Sequence, residues 1–200
     1  MNNVDCSKKI LDYFPVKSQV NLYEAYSEFW AEIMNALFCS FFSLKNKSDK
    51  SEFLRNSVFF INFERNYSFF QLVKTLNFMG LQYKDLYSKS NESKILRDHL
   101  YKENTNVLSY YVIKTILINN YQYFLSWCKN NNFSLLQFKK TTNNLNNICE
   151  FIGKYYKSKS MLENVKSMEH FFNKIRNSKK KSIHHDKLIL NMRMSICELG

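Results

Sequence analysis

The sequence predicts an all-α protein: a single irregular helical bundle with three long helices, several shorter ones and a basic C-terminal segment. Three observations predict it. Apolar residues make up 45% of the 200 positions and aromatic residues 16%, ample material for a buried core. Gly (3) and Pro (1) are scarce, and these are the residues that punctuate all-β folds. Apolar residues then recur every three or four positions across three long stretches with few breakers.

The first long helix is expected from about Asn21 to Leu44. Asn21 is a good N-cap, and Glu24, three residues on, completes a capping-box pattern. Tyr26, Phe29, Trp30, Ile33, Leu37 and Phe41 share one helical face. Residues 45–51 are a polar loop. The second helix runs from about Glu52 to Met79, with Gly80 as its natural C-terminal stop and a break allowed near Asn62–Asn66. Its apolar residues include Phe59, Phe60, Phe63, Phe69, Phe70, Leu72, Val73 and Leu76. A loop at Ser88–Ser93 precedes a short helix. Asn104 or Thr105 caps the third long helix, which reaches about Asn130 and uses Val107, Leu108, Tyr111, Ile116, Leu117, Tyr121, Phe124 and Leu125. Shorter helices follow near Thr142–Tyr156 and Ser160–Asn177. Residues 1–177 thus form the helical domain, and 178–200 a basic linker and C-terminal extension. Its last part, Leu188–Cys197, reads as a strand or a docked extension. Trp30, Phe69, Leu76, Ile116 and Phe124 should lie in one core.

The formal charge is +12. The basicity is nearly all Lys, with Arg only at 55, 65, 97, 176 and 193. Lys, Asn, Ile, Phe and Tyr are abundant together, the signature of an AT-rich genome. Most of the charge is therefore compositional. The densest basic patch is Lys174, Arg176, Lys179, Lys180, Lys181 and Lys187, which supports only non-specific, salt-sensitive contact with nucleic acid or another polyanion. The five cysteines, at 6, 39, 128, 149 and 197, have no metal or redox spacing, and free thiols in a reducing, cytoplasmic compartment are expected. No apolar signal region opens the chain, and no membrane span is expected. The most apolar windows carry Glu32 in one case and Lys114, Asn119, Asn120 and Gln122 in the other.

The most informative stretch is Glu24-Ala-Tyr-Ser-Glu28-Phe-Trp-Ala-Glu32. Its three carboxylates lie at i, i+4 and i+8, along one side of a helix. No Lys or Arg occurs between Lys17 and Lys45 to neutralise them, and like charges at this spacing are mildly destabilising. The stripe is either a solvated acidic face or the meeting place for a cation: a metal, or a basic group from elsewhere in the fold or from a partner.

Glu28-Phe-Trp-Ala-Glu32, with the following Ile33–Phe38, resembles the third-ligand helix of gluzincin metallopeptidases of the anthrax lethal factor and Pro-Pro endopeptidase type. The resemblance implies that Glu28 is a zinc ligand and Glu32 a supporting carboxylate. The HExxH motif that supplies the other two ligands and the catalytic base is absent. The histidines are His99, His170, His184 and His185, all C-terminal to Glu28. The resemblance therefore implies either the C-terminal portion of a longer enzyme or a relative that has lost catalysis. Tyr23–Glu32, Glu103–Val107 and Arg193–Ile196 also resemble stretches of uncharacterised proteins of giant DNA viruses, which implies host cytoplasm or virion as the location.

Three functions follow, in order of preference. The first is a non-catalytic helical protein acting through protein partners, with no cofactor. The second is a zinc-metallopeptidase-like chain lacking its HExxH half. The third is a basic protein that binds nucleic acid without sequence preference. No catalytic residue is assigned.

Overall fold

Eight α-helices follow one another in the computed structural model, which describes residues 4–177, 188–193, 195 and 196. They are α1 (Val4–Tyr13), α2 (Leu22–Ser43), α3 (Lys50–Phe78), α4 (Asn91–Leu100), α5 (Lys114–Asn119), α6 (Tyr121–Asn131), α7 (Thr142–Tyr155) and α8 (Lys159–Arg176). A 3₁₀ turn lies at Tyr83–Leu86 and a π-helical turn at Leu108–Ile113. No strand occurs among the described residues. The all-α bundle is as the sequence predicts. Trp30, Phe69, Leu76, Ile116 and Phe124 all belong to one core cluster.

The caps explain most boundaries. Asp49, Ser90, Thr141 and Ser158 each accept a backbone N–H from the first turn of the helix they open, replacing a bond the helix cannot make itself. Asn21 caps α2 in the same way, accepting from the Glu24 N–H at 3.3 Å. The expected capping box does not close, because the Asn21 N–H donates to the Ser109 hydroxyl and the Glu24 carboxylate points elsewhere. α3 runs unbroken through Asn62–Asn66, so the optional break is not used. It stops where Gly80 adopts φ +74°, a conformation costly for any residue with a Cβ.

The third long helix departs most from expectation. Glu103, rather than Asn104 or Thr105, opens it: its carboxylate accepts the Leu108 N–H at 2.8 Å and the Tyr101 hydroxyl. A π turn then widens the first stretch. The helix breaks at Asn120 (φ −116°, ψ 31°), whose side-chain amide donates to the Ile116 carbonyl. The residues from 111 to 120 are all buried, so this segment is the bundle's axis. α2 and α3 pack on it and on each other, and α8 packs on α3.

α1 was not anticipated, because its polar residues hide Cys6, Ile10 and Phe14, which face inward and are fully or nearly fully buried. It packs on α7. Gly153 lets the two helices approach: a Cβ there would meet the Tyr13 ring at 2.5–2.9 Å. Cys6 and Cys149 are paired as a disulfide, with Cα atoms 6.6 Å apart and 143 residues between them in sequence. This corrects the expectation of free thiols for Cys6 and Cys149, whereas Cys128 is a thiol as expected and Cys197 lies outside the described residues. The pairing is tertiary, so no spacing could show it, and the reducing compartment loses the support those thiols lent it. Cys128 is a buried thiol whose pKa burial pushes up to about 12, so it stays protonated and unreactive.

A cross-link closing so long a loop restricts the unfolded chain by roughly 5 kcal/mol in the chain-entropy account. Cys149→Ala should therefore lower the denaturant midpoint under oxidising conditions. Dithiothreitol should lower the native chain to the same level and leave the variant unchanged. Equal midpoints for both proteins with and without reductant would show that the staple contributes nothing.

Candidate functional site

The acidic stripe of α2 meets a matching row on the axial helix. Glu24 accepts from the Asn106 side-chain amide at 2.7 Å, and the Tyr110 hydroxyl is held against the same carboxylate. Glu32 pairs with Lys114 in a salt bridge in which both side chains are buried. Glu28 is half-buried between them, and its charge helps raise the Tyr111 hydroxyl's pKa, which burial already lifts. Glu24, Glu28 and Glu32 thus run alongside Asn106, Tyr110 and Lys114, every fourth residue against every fourth residue. The offset is 82 positions at both ends. The π turn at Leu108–Ile113 falls within this row, between Asn106 and Lys114.

The cation the stripe lacked within its own sequence neighbourhood is therefore Lys114, one of the residues that argued against a membrane span. No helix of the described residues is long and apolar enough to cross a membrane. Glu32 is further held by the Ser68 hydroxyl, which donates at 3.3 Å. Burial pushes its carboxyl up to about 7, against the opposing pull of Lys114. Glu64, also buried, adds a like charge nearby. Thr115 and Asn119 complete the polar axis. Thr115 donates to the Tyr111 and Ser68 carbonyls, and Asn119 accepts from Asn164 on α8.

The remaining sequence-predicted residues are dispersed. His99 and His170 are exposed on α4 and α8. His184 and His185 lie outside the described residues, as do Lys179, Lys180, Lys181 and Lys187. Lys174 and Arg176 are exposed at the end of α8, where Arg176 donates to the Asn77 side chain at 2.8 Å. No group of three or more His, Cys, Asp or Glu stands together as a metal site among the described residues. The single ligand that the gluzincin resemblance assigns, Glu28, belongs to no such group there.

Sequence reasoning missed two features. Phe41, expected on the apolar face of the first long helix, and Phe59 and Phe63, counted among the apolar residues of the second, are all exposed. Phe38 and Phe42 are exposed too, so that Phe38, Phe41 and Phe42 stand outward near the end of α2 and Phe59 and Phe63 stand outward along α3. Lys74 on α3 was not singled out, yet it is wholly buried, and burial lowers its pKa to about 8. The composition of α3 held a signal: its inward face at 64, 68, 71 and 74 is polar throughout.

No family model, no curated protein and no solved structure matches this chain.

Two predictions follow from the polar axis. Glu32→Gln should cost about 3–5 kcal/mol of unfolding free energy, because Lys114 is left as a buried, uncompensated cation. The double variant Glu32→Met with Lys114→Met should regain most of that loss in the same denaturant titration. A Glu32→Gln protein as stable as the native one would mean that Lys114 is not buried with it. For Lys74, the unfolded chain holds its proton up to about pH 10.5 while the folded chain releases it near 8. Between those values the unfolded state binds more protons, so Lys74 adds stability as pH rises and loses it as pH falls back through 8. The difference in stability between native and Lys74→Met proteins, measured from pH 7 to 10.5, should follow that rise.

Proposed function

We propose that this chain is a non-catalytic α-helical protein, viral in origin by its resemblances, that works by binding another protein through the α2–α3 hairpin. One observation carries this reading. Phe42 is 72% exposed and Phe59 61%, and Phe38, Phe41 and Phe63 are exposed on the same two helices. Isolated exposed apolar residues are ordinary on a protein surface, but five phenylalanines on one hairpin are not. Aromatic side chains are enriched at the centres of protein interfaces, where they bury large area at small entropic cost.

The surroundings define the partner's chemistry. Lys45, Lys47, Lys50 and Arg55 are exposed at the hairpin's turn and flank the aromatic faces, against Asp49 and Glu52. Lys47 is pinned over the last turn of α2, donating to the carbonyls of Phe41, Phe42 and Leu44 and lying 5.3 Å from the Phe41 ring centroid. A partner with an apolar cleft rimmed by carboxylates fits this arrangement. The buried acidic stripe does not serve here, since its inner end is already matched by Lys114.

The double substitution Phe42→Asp with Phe59→Asp should leave stability within about 0.5 kcal/mol of native, since neither ring is in the core. A photo-reactive side chain at position 42, in cells that make the protein, should give one discrete adduct that Phe59→Asp removes. The same probe at Lys166, on the exposed side of α8, should give none. Equal labelling at both positions would remove the hairpin as the binding surface.

A further inference from the structure

Glu64, Tyr67, Gln71 and Lys74 recur every three or four residues and form one polar row along α3. All are buried, Gln71 and Lys74 completely. Such a row is costly unless its donors and acceptors are met. The chain's own C-terminal segment, at Leu188, Asn191, Arg193, Ser195 and Ile196, meets Lys74, Gln71 and Glu64, while the Gln71 amide also donates to the Tyr67 hydroxyl and its carbonyl oxygen is left without a partner. Lys74 Nζ donates to the carbonyls of Leu188 (2.9 Å) and Asn191, and the Gln71 amide donates to the carbonyl of Arg193 at 2.5 Å. Glu64 accepts the Ser195 hydroxyl at 2.6 Å and the Ile196 N–H at 3.1 Å. From the axial helix, the Tyr111 hydroxyl donates to the Met192 carbonyl at 3.3 Å, and Asn35 of α2 donates to the Ser195 hydroxyl at 3.3 Å.

Five of these seven contacts with the segment read the main chain, and two read the Ser195 hydroxyl. That is the chemistry of peptide recognition, in which backbone bonds give affinity and one or two side-chain pockets give selectivity. The pocket is present. A cavity of about 450 Å³ walled by Phe63, Phe70, Met168 and Phe171 opens beside the row, and the segment's two ends, Leu188 and Ile196, border it. The segment is anchored at its ends, where Leu188 and Ile196 pack on the edge of the core and Ser195 is buried, and shallowly held between them: Leu190 is 77% exposed and Met192 is exposed as well. The apolar surface that resists its departure is confined to those two ends, and the other groups it would uncover are polar and can take water in its place.

We infer that the polar row of α3 and the adjoining cavity form a peptide-binding groove, that Leu188–Ile196 is its exchangeable occupant, and that the same segment of a second copy of this chain fills it in trans. The second copy is favoured because its segment is already fitted. Every bond from Lys74, Gln71, Glu64, Tyr111 and Asn35 is kept when one copy's segment replaces the other's, so exchange costs only association. The groove shares no substitution with the aromatic hairpin except the neighbouring Phe63, so either surface can fail without the other.

The test uses the full native chain and a synthetic peptide of residues 188–196. Added in excess, the peptide should displace the chain's own segment and speed hydrogen exchange at the Ile196 amide at least tenfold. A scrambled peptide should have no effect. A peptide carrying Ser195→Ala, which loses the bond to Glu64, should need about ten times the concentration. In sedimentation, raising the protein to millimolar concentration should produce a dimer that the peptide returns to monomer. Exchange at Ile196 that ignores the peptide, or that responds equally to the scrambled sequence, overturns the groove. A chain that stays monomeric throughout overturns the second copy as its occupant.

Discussion

The buried pairing of Glu32 with Lys114 is the interaction on which the rest of the bundle depends. A lysine in the middle of the axial helix cannot be left without a counter-charge, because removing an ammonium from water costs several kcal/mol. Glu32 supplies that charge from α2 and receives the Ser68 hydroxyl from α3. One carboxylate therefore fixes three helices relative to one another. The pair need not add net stability over a well-packed apolar replacement. What it adds is register, since no other offset of α2 along the axis brings the carboxylate to the ammonium while also placing Glu24 against Asn106.

That constraint propagates outward. The axis, with its π turn at Leu108–Ile113 and its break at Asn120, presents Asn106, Tyr110 and Lys114 to α2 and Asn119 to α8. With α3 locked by Ser68, its polar inward face lies along one line, and the C-terminal segment completes it. The disulfide between Cys6 and Cys149 holds α1 and α7 together on the other side, where Tyr13 and Tyr156 stack with centroids 5.2 Å apart. The molecule's interior is thus organised by polar matches, while aromatic packing fills the space between them, as where Phe124 meets Phe29 edge-on at 4.8 Å.

The α2–α3 hairpin is where core material and surface material change places. Buried and exposed residues interleave here, with Ser40, Leu44, Ser57 and Ile61 facing inward and phenylalanines on the outward faces of the same turns. Trp30 and Ile33 are in the core, whereas Phe38, Phe41 and Phe42 are outside it. A protein that needed these helices only for stability would carry polar residues there. The exposed rings give the hairpin apolar surface that gains little from staying in water.

By itself the sequence determined the helical class, most helix positions, the caps at Asn21 and Gly80, and the core membership of Trp30, Phe69, Leu76, Ile116 and Phe124. These follow from local rules: apolar period, capping chemistry and breaker scarcity act within a few residues of each other. It also marked the Glu24–Glu28–Glu32 stripe as either a solvated face or the meeting place for a cation. Only the tertiary structure decided that the cation is Lys114, that Cys6 meets Cys149, that Lys74 lies buried beneath Leu188 and Asn191, and that Phe59 and Phe63 face outward. Each of these joins residues distant in sequence or depends on which side of a helix the rest of the bundle covers. A helical period gives a face its direction but not what stands opposite it.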